Sequence, residues 1–291
     1  MSMQYKQSFQ IAEIVIGIKG DIPFKITKSF APFQTDASPE YELEFKKVEE
    51  LQMPDGEKVH ESQGFEVWKD KEGRFFRVFY SMNPKKRYAV AFYDWEQKSV
   101  RVEYLHVGQH SFSESGSCFA HIAWEALLVQ EKRMAFHAAC VETSYGAVLF
   151  SGPSGAGKST QAKLWCEHRG GRLINGDKPI LRWEEKELFA YGSPYAGSSK
   201  CYLNEACSVK AIVFLNKGNR NCIKALAPSE AFRRIYASMT VNTWDEAFVN
   251  FICEMAEKIV GCVPVYELEC MIDINAVEVL EKVLQQLERG E

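Results

Sequence analysis

The run Gly152-Pro-Ser-Gly-Ala-Gly-Lys-Ser159 carries the most specific chemistry in the chain. It is a full G-x-x-x-x-G-K-S pattern, in which glycines let successive backbone N–H groups curl around a phosphate while the lysine reaches the β and γ oxygens. A helix opening at the end of such a loop adds its positive N-terminal end to the same anion. Strand-like Gly146-Ala-Val-Leu-Phe-Ser151 precedes the run and helix-forming Thr160-Gln-Ala-Lys-Leu-Trp165 follows it. The nucleotide-binding candidates are therefore Gly152, Ser154, Gly155, Ala156, Gly157, Lys158, Ser159 and Thr160, with the Ser159 hydroxyl placed to ligate Mg2+.

A second candidate follows one helix and one return strand later. Arg172-Leu-Ile-Asn-Gly-Asp177 reads as a short strand ending in an acid. Sequential elements usually pack as neighbours, so this strand is predicted beside the phosphate-loop strand, with Asp177 near the γ-phosphate. There the carboxylate has two open roles: holding Mg2+, or accepting the proton of an attacking hydroxyl.

The elements that must position these residues divide the chain. Before about residue 115, runs such as Ile11–Ile18, Phe65–Trp68, Arg74–Tyr80, Arg87–Tyr93 and Val100–Leu105 are short, aromatic and β-branched, with turns at Lys69–Gly73 and Asp94–Lys98. They predict a mostly β domain over residues 1–115, a meander or small sandwich without chemical groups. The polar stretch Gly108–Ser117 marks the boundary. Beyond it, helical spacing over Cys118–Gln130 with Ser117 as a cap, helical stripes through Trp244–Ile259 and Leu280–Leu287, and strands at Val209–Leu215 and Val263–Met271 predict an α/β domain over residues 116–291.

Composition excludes several function classes. The chain has 291 residues, 46% of them hydrophobic and 25% charged, which fits a folded protein with a substantial core. A net charge of -4 offers no broad field for long nucleic acid, and no apolar run approaches the ~20 residues of a membrane span, so neither nucleic acid nor membrane is an expected partner. Without a leader-like N-terminus, the protein is expected in the cytoplasm. Nine cysteines with no Cys-x-x-Cys pair read as free thiols in a reducing compartment rather than a zinc site.

Three segments together resemble the catalytic domain of the HPr kinase/phosphorylase family, in the phosphoenolpyruvate carboxykinase-like P-loop group. They are Phe136-His-Ala-Ala-Cys-Val141, Tyr145 through Ser159, and Arg172 through Asp177. The resemblance covers about residues 117–285 and weakens away from the phosphate loop. It implies an α/β P-loop kinase-like domain that uses ATP and Mg2+ to phosphorylate a serine hydroxyl, with Lys158 and Asp177 catalytic. His137 stands where the family keeps a histidine before the phosphate-loop strand, which adds it to the catalytic set. Family members often form oligomers, so a homo-oligomer is an expectation, although the sequence shows no interface.

The chain also departs from that family. Gly176-Asp177 stands where HPr kinases have two consecutive aspartates, leaving Asp177 to serve as both metal ligand and proton acceptor. The family's second Gly-rich signature is replaced by Gly192-Ser-Pro-Tyr-Ala-Gly-Ser-Ser-Lys200, as in shorter HPr-kinase-like proteins, including those that phosphorylate peptides. The implied acceptor is a protein or peptide serine, without the phosphorylase reaction. The hydroxyl-rich loop ends in Lys200, a candidate second phosphate contact. Two alternatives stay open: a small-metabolite or nucleotide kinase, disfavoured because Ile180–Tyr191 reads as a hairpin and no arginine-rich lid is visible, and a non-catalytic ATP-binding regulatory module.

Overall fold

In a computed structural model, which describes residues 5–271 and 273–290, the aromatic and β-branched runs of the first part pair into one nine-stranded sheet. Its strands are β1 (Tyr5–Ile11), β2 (Ile14–Gly20), β3 (Gln34–Thr35), β4 (Tyr41–Lys47), β5 (Gly56–Ser62), β6 (Phe65–Asp70), β7 (Phe75–Met82), β8 (Lys85–Asp94) and β9 (Ser99–Tyr104). Strands β5 to β9 form an antiparallel meander, and β9, β4 and β2 continue the sheet in parallel steps. The run predicted as one strand over Ile11–Ile18 is broken by a hairpin. Ala12 and Glu13 take φ of 48° and 64°, the left-handed pair that a tight two-residue hairpin demands. Ala-Glu lacks the usual Asn-Gly or Asp-Gly signature of that turn, which is why the break is invisible in the sequence.

The chain divides into compact units at Met1–Leu127 and Leu128–Glu291. The predicted helix over Cys118–Gln130 is two short ones, α1 (Ser115–Ala120) and α2 (Trp124–Gln130), separated at Ala123 by a φ of 48°. Helix α1 begins after Glu114, so Ser117 lies inside it rather than capping it. The division falls within α2, and α1 belongs with the β unit, where Phe119 packs edge-on against Phe9 at 5.8 Å and tilted against Phe30 at 4.7 Å.

The second unit holds β10 (Arg133–Ala135), β11 (Ala138–Thr143), β12 (Gly146–Ser151), α3 (Lys158–Arg169), β13 (Arg172–Asn175), β14 (Ile180–Glu184), β15 (Glu187–Tyr191), β16 (Ala206–Lys217), β17 (Cys222–Ala225), α4 (Pro228–Ala237), α5 (Glu246–Cys262), β18 (Val265–Cys270) and α6 (Ile274–Arg289). Strands β12, β16 and β18 run parallel, whereas β11 is antiparallel to both β12 and β13. Side chains of α3 and α6, among them Trp165, Ala162, Val277, Leu280 and Leu284, form one buried cluster with Val141, Val148, Phe150, Val213 and Leu268 of the sheet. No helix among the described residues is long and apolar enough to cross a membrane. All nine cysteines are free thiols.

One expectation is corrected here. Strand β13 does not lie beside the phosphate-loop strand, because β11 lies between them. The tight β11–β12 turn, in which the Thr143 hydroxyl donates to the Gly146 carbonyl at 2.7 Å, makes β11 the neighbour of β12 on one side. Strand β16 takes the other side, so β13 can pair only with the far edge of β11.

Candidate active site

Strand register brings three separate segments to one sheet end. Ala138 at the start of β11 faces Ser151 at the end of β12, and Cys140 faces Asn175 at the end of β13. His137 precedes β11, the phosphate loop follows β12, and Asp177 follows β13, so all three leave the sheet at the same end. The Nδ1 of His137 lies 3.4 Å from Oδ1 of Asp177, with side chains 41% and 30% exposed, so the pair is partly shielded yet reachable from solvent.

The loop between β12 and α3 has the geometry that its glycines allow. Gly155 and Gly157 have φ of 78° and 108°, and a Cβ built on either would meet no atom within 4 Å. These are two positions whose backbone only glycine adopts without strain, and both face open space. Ala156 is buried, while Ser154 and Ser159 are exposed and Thr160 is partly exposed on the first turn of α3. Lys158 curls back over the loop, donating from Nζ to the carbonyl of Gly152 at 2.8 Å and to that of Pro153 at 3.3 Å.

Charge couples these groups. Burial holds the Lys158 ammonium below its ordinary pKa, with Asp177 pulling the other way. Burial also lowers the His137 pKa, reinforced by Lys158 and Lys178 and opposed by Asp177. His137 is therefore neutral at pH 7, with a ring nitrogen able to accept a proton. The candidate residues Lys158, His137 and Asp177 form one electrostatic neighbourhood, although they come from three segments.

Several supporting residues carry no motif signal. His137 is pinned by its main chain: its N–H donates to the Ser238 carbonyl at 2.7 Å and its carbonyl accepts from the Ser151 hydroxyl at 2.8 Å. Asn175, fully buried, accepts at Oδ1 from the N–H groups of Asp177 at 3.0 Å and Lys178 at 2.8 Å. An Asn two residues before the candidate Asp is a readable Asx-turn signal, whereas the partners Ser151 and Ser238 had none. Gly176, the departure from paired aspartates, has a physical counterpart. A Cβ there would fall inside contact distance of Ser199 Oγ and Cβ, so the segment after Gly192 occupies the space a side chain would need.

Lys200 is exposed, with a left-handed φ of 52° after the short turn Gly197–Ser199. Glu205 forms an ion pair with Arg172, which also binds Glu142 at 2.8 Å. Among the described residues no group of three His, Cys, Asp or Glu side chains is arranged to hold a metal ion.

No family model matches the chain, and no curated protein matches it. Among solved structures, the chain is similar to the HPr(Ser) kinase/phosphatase from Coxiella burnetii. The two are 13% identical, and the superposition covers 53% of this chain and 98% of that one with a TM-score of 0.34. A superposition at that score does not define a common fold, and the chemistry below stands on the residues of this chain.

Proposed function

We propose that this chain is an ATP-dependent kinase that transfers the γ-phosphoryl group to a serine hydroxyl of a protein or peptide. The observation that carries the reading is the shared sheet end, where an open glycine loop with Lys158 meets the His137–Asp177 pair. The loop amides and Lys158 would hold the phosphates, with Lys158 exchanging the Gly152 and Pro153 carbonyls for phosphate oxygens. Ser159 and Asp177 offer the hard oxygen ligands that Mg2+ prefers and would hold such an ion, which would supply positive charge against the phosphates.

The remaining work belongs to the chain's own side chains. Asp177, assisted by neutral His137, accepts the proton of the serine hydroxyl as its oxygen bonds to the γ-phosphorus and the bond to the β-phosphate oxygen breaks, releasing ADP. Catalysis of this type is mostly positioning and electrostatics, which suits groups held by pinned main chain.

The test is transfer of label from γ-labelled Mg·ATP to acid-stable product in a host extract containing small proteins and peptides. Wild type should label a discrete band, and Lys158→Ala and Asp177→Ala should each lower labelling by ~100-fold or more. If wild type binds Mg·ATP and labels only small molecules, the chain is a metabolite kinase; if it labels nothing, it is a nucleotide-binding module.

A further inference from the structure

We propose that Asn175 is a positioning residue that ties Asp177 to the 193–199 segment, so that this segment sets where the Asp177 carboxylate sits. The inference rests on the kinase reading for its effect on turnover, but its structural half stands on hydrogen bonds alone.

Asn175 is fully buried at the end of β13, and its side chain is used on both sides. Oδ1 accepts from the backbone N–H groups of Asp177 and Lys178, while Nδ2 donates to the Ser193 carbonyl at 3.1 Å and lies 3.3 Å from the Ser193 hydroxyl. A buried amide is costly unless its donors and acceptors are met, and an apolar side chain could end a strand at less cost. The amide therefore has a task that greasy packing would not perform: it holds two loops in register with each other.

Ser193 closes the same circuit from the other loop. Its hydroxyl donates to the Lys178 carbonyl at 2.6 Å and accepts from the Tyr195 N–H at 3.2 Å, and the Lys178 N–H also donates to the Tyr195 carbonyl at 3.2 Å. On the far side of the turn, the Asp177 carbonyl accepts from the Ala138 N–H at 3.0 Å, next to His137. Asp177 thus sits on a backbone gripped from both flanks, with one grip belonging to the 193–199 segment.

Two glycines let that segment come this close. Ser199 fills the space beside Gly176, and a Cβ on Gly197 would approach the Asp177 Cβ and Cγ to 2.9 and 3.1 Å. The 196–199 turn lies directly against the Asp177 side chain and is tied to its main chain through Ser193 and Asn175. Displacement of the segment is therefore transmitted to the carboxylate, and a misplacement of about 1 Å in a reacting group can cost on the order of 100-fold in rate.

A double-mutant cycle on the full chain tests the proposal. Asn175→Ala should lower kcat by ~10- to 100-fold, while the glycine-loop amides and Lys158 still hold the nucleotide. In an Asp177→Asn background the same change should alter kcat by less than about twofold, since its effect passes through a group already disabled. Equal losses in both backgrounds would overturn the proposal. Should Asn175→Ala not fold, Ser193→Ala, which removes one hydroxyl, enters the same cycle with the same expectation. A readout independent of turnover is amide hydrogen exchange: Asn175→Ala or Ser193→Ala should speed exchange at Lys178 together with Tyr195 and Cys201, leaving α3 unchanged. Faster exchange confined to 177–178, or spread over the whole second unit, would sink the coupling even where wild type shows no kinase activity, while absence of turnover with coupled exchange would sink the kinase reading alone.

Discussion

His137 is neutral at pH 7 because burial and the neighbouring Lys158 outweigh the pull of Asp177. Lowering the pH through its depressed pKa protonates the ring and removes its capacity to take a proton. Phosphoryl transfer should therefore fall on the acid side, below the ordinary histidine value of about 6.5, and the acid limb of the pH–rate profile should move in His137→Gln. An unchanged limb would remove His137 from the proton path. The same sign governs folding. A lowered folded-state pKa gives stability that is complete above the unfolded value and lost as pH falls through the folded one, by a small amount for so exposed a ring. At Gly176 the contact with Ser199 makes a different prediction. Gly176→Ala should lower stability to urea by ~1–3 kcal/mol, and adding Ser199→Gly should recover most of it, because the second change removes the atoms in the way. No recovery would mean that the Ala196 carbonyl, 3.1 Å from the same position, rather than Ser199, sets the limit there.

At the scale of elements, α5 and α6 each bury an apolar stripe and are started by a side chain. Helix α5 buries Phe248, Ile252, Met255, Ala256 and Ile259, and Asp245 caps it by accepting from the Phe248 N–H at 3.2 Å. Asp273 caps α6 through the Ala276 N–H at 3.3 Å and also accepts from Asn221 Nδ2 at 2.8 Å. Asp245→Ala should cost ~1 kcal/mol in chemical denaturation, as caps typically do, and Asp273→Ala more, since it also leaves the Asn221 amide without that partner. The stripes were readable in advance because helical periodicity is local, whereas these caps were not foreseen and the cap expected at Ser117 lies inside α1. The split of Cys118–Gln130 into α1 and α2 was not readable either, since Ala123 in a left-handed conformation has no signature in its own residue type.

At the scale of the molecule, the two units have separate cores. The second is built around Trp165, with α3 and α6 on one face of the β11–β12–β16–β18 sheet. The first contains a cluster of Phe76, Val78 and Val90, and separately the ring group of Phe9, Phe30 and Phe119. Trp165→Ala should cost ~3–5 kcal/mol, as loss of a fully buried large side chain does. In calorimetry it should lower one transition and leave a second in place; a single transition shifted as a whole would show that the units unfold together.

The glycine loop was legible as a candidate because its residues are contiguous: Gly152, Gly157, Lys158 and Ser159 stand at a spacing that is read from the sequence alone. The α/β character of the second part was equally legible, as was the hairpin at Ile180–Tyr191, because period and punctuation are local properties. The order of strands was not, and neither was the company Asp177 keeps. Sequence adjacency placed β13 against β12, but hydrogen-bonding edges are a limited resource, and the β11 hairpin with parallel β16 used both edges of β12. Only the tertiary structure decided that His137 would meet Asp177 at the paired ends of β11 and β13, that Asn175 would grip two loops, and that Ser199 would fill the space beside Gly176. Each of these depends on pairing between segments distant in the chain, and such pairing is settled by which edges and cavities remain when the rest of the sheet has formed.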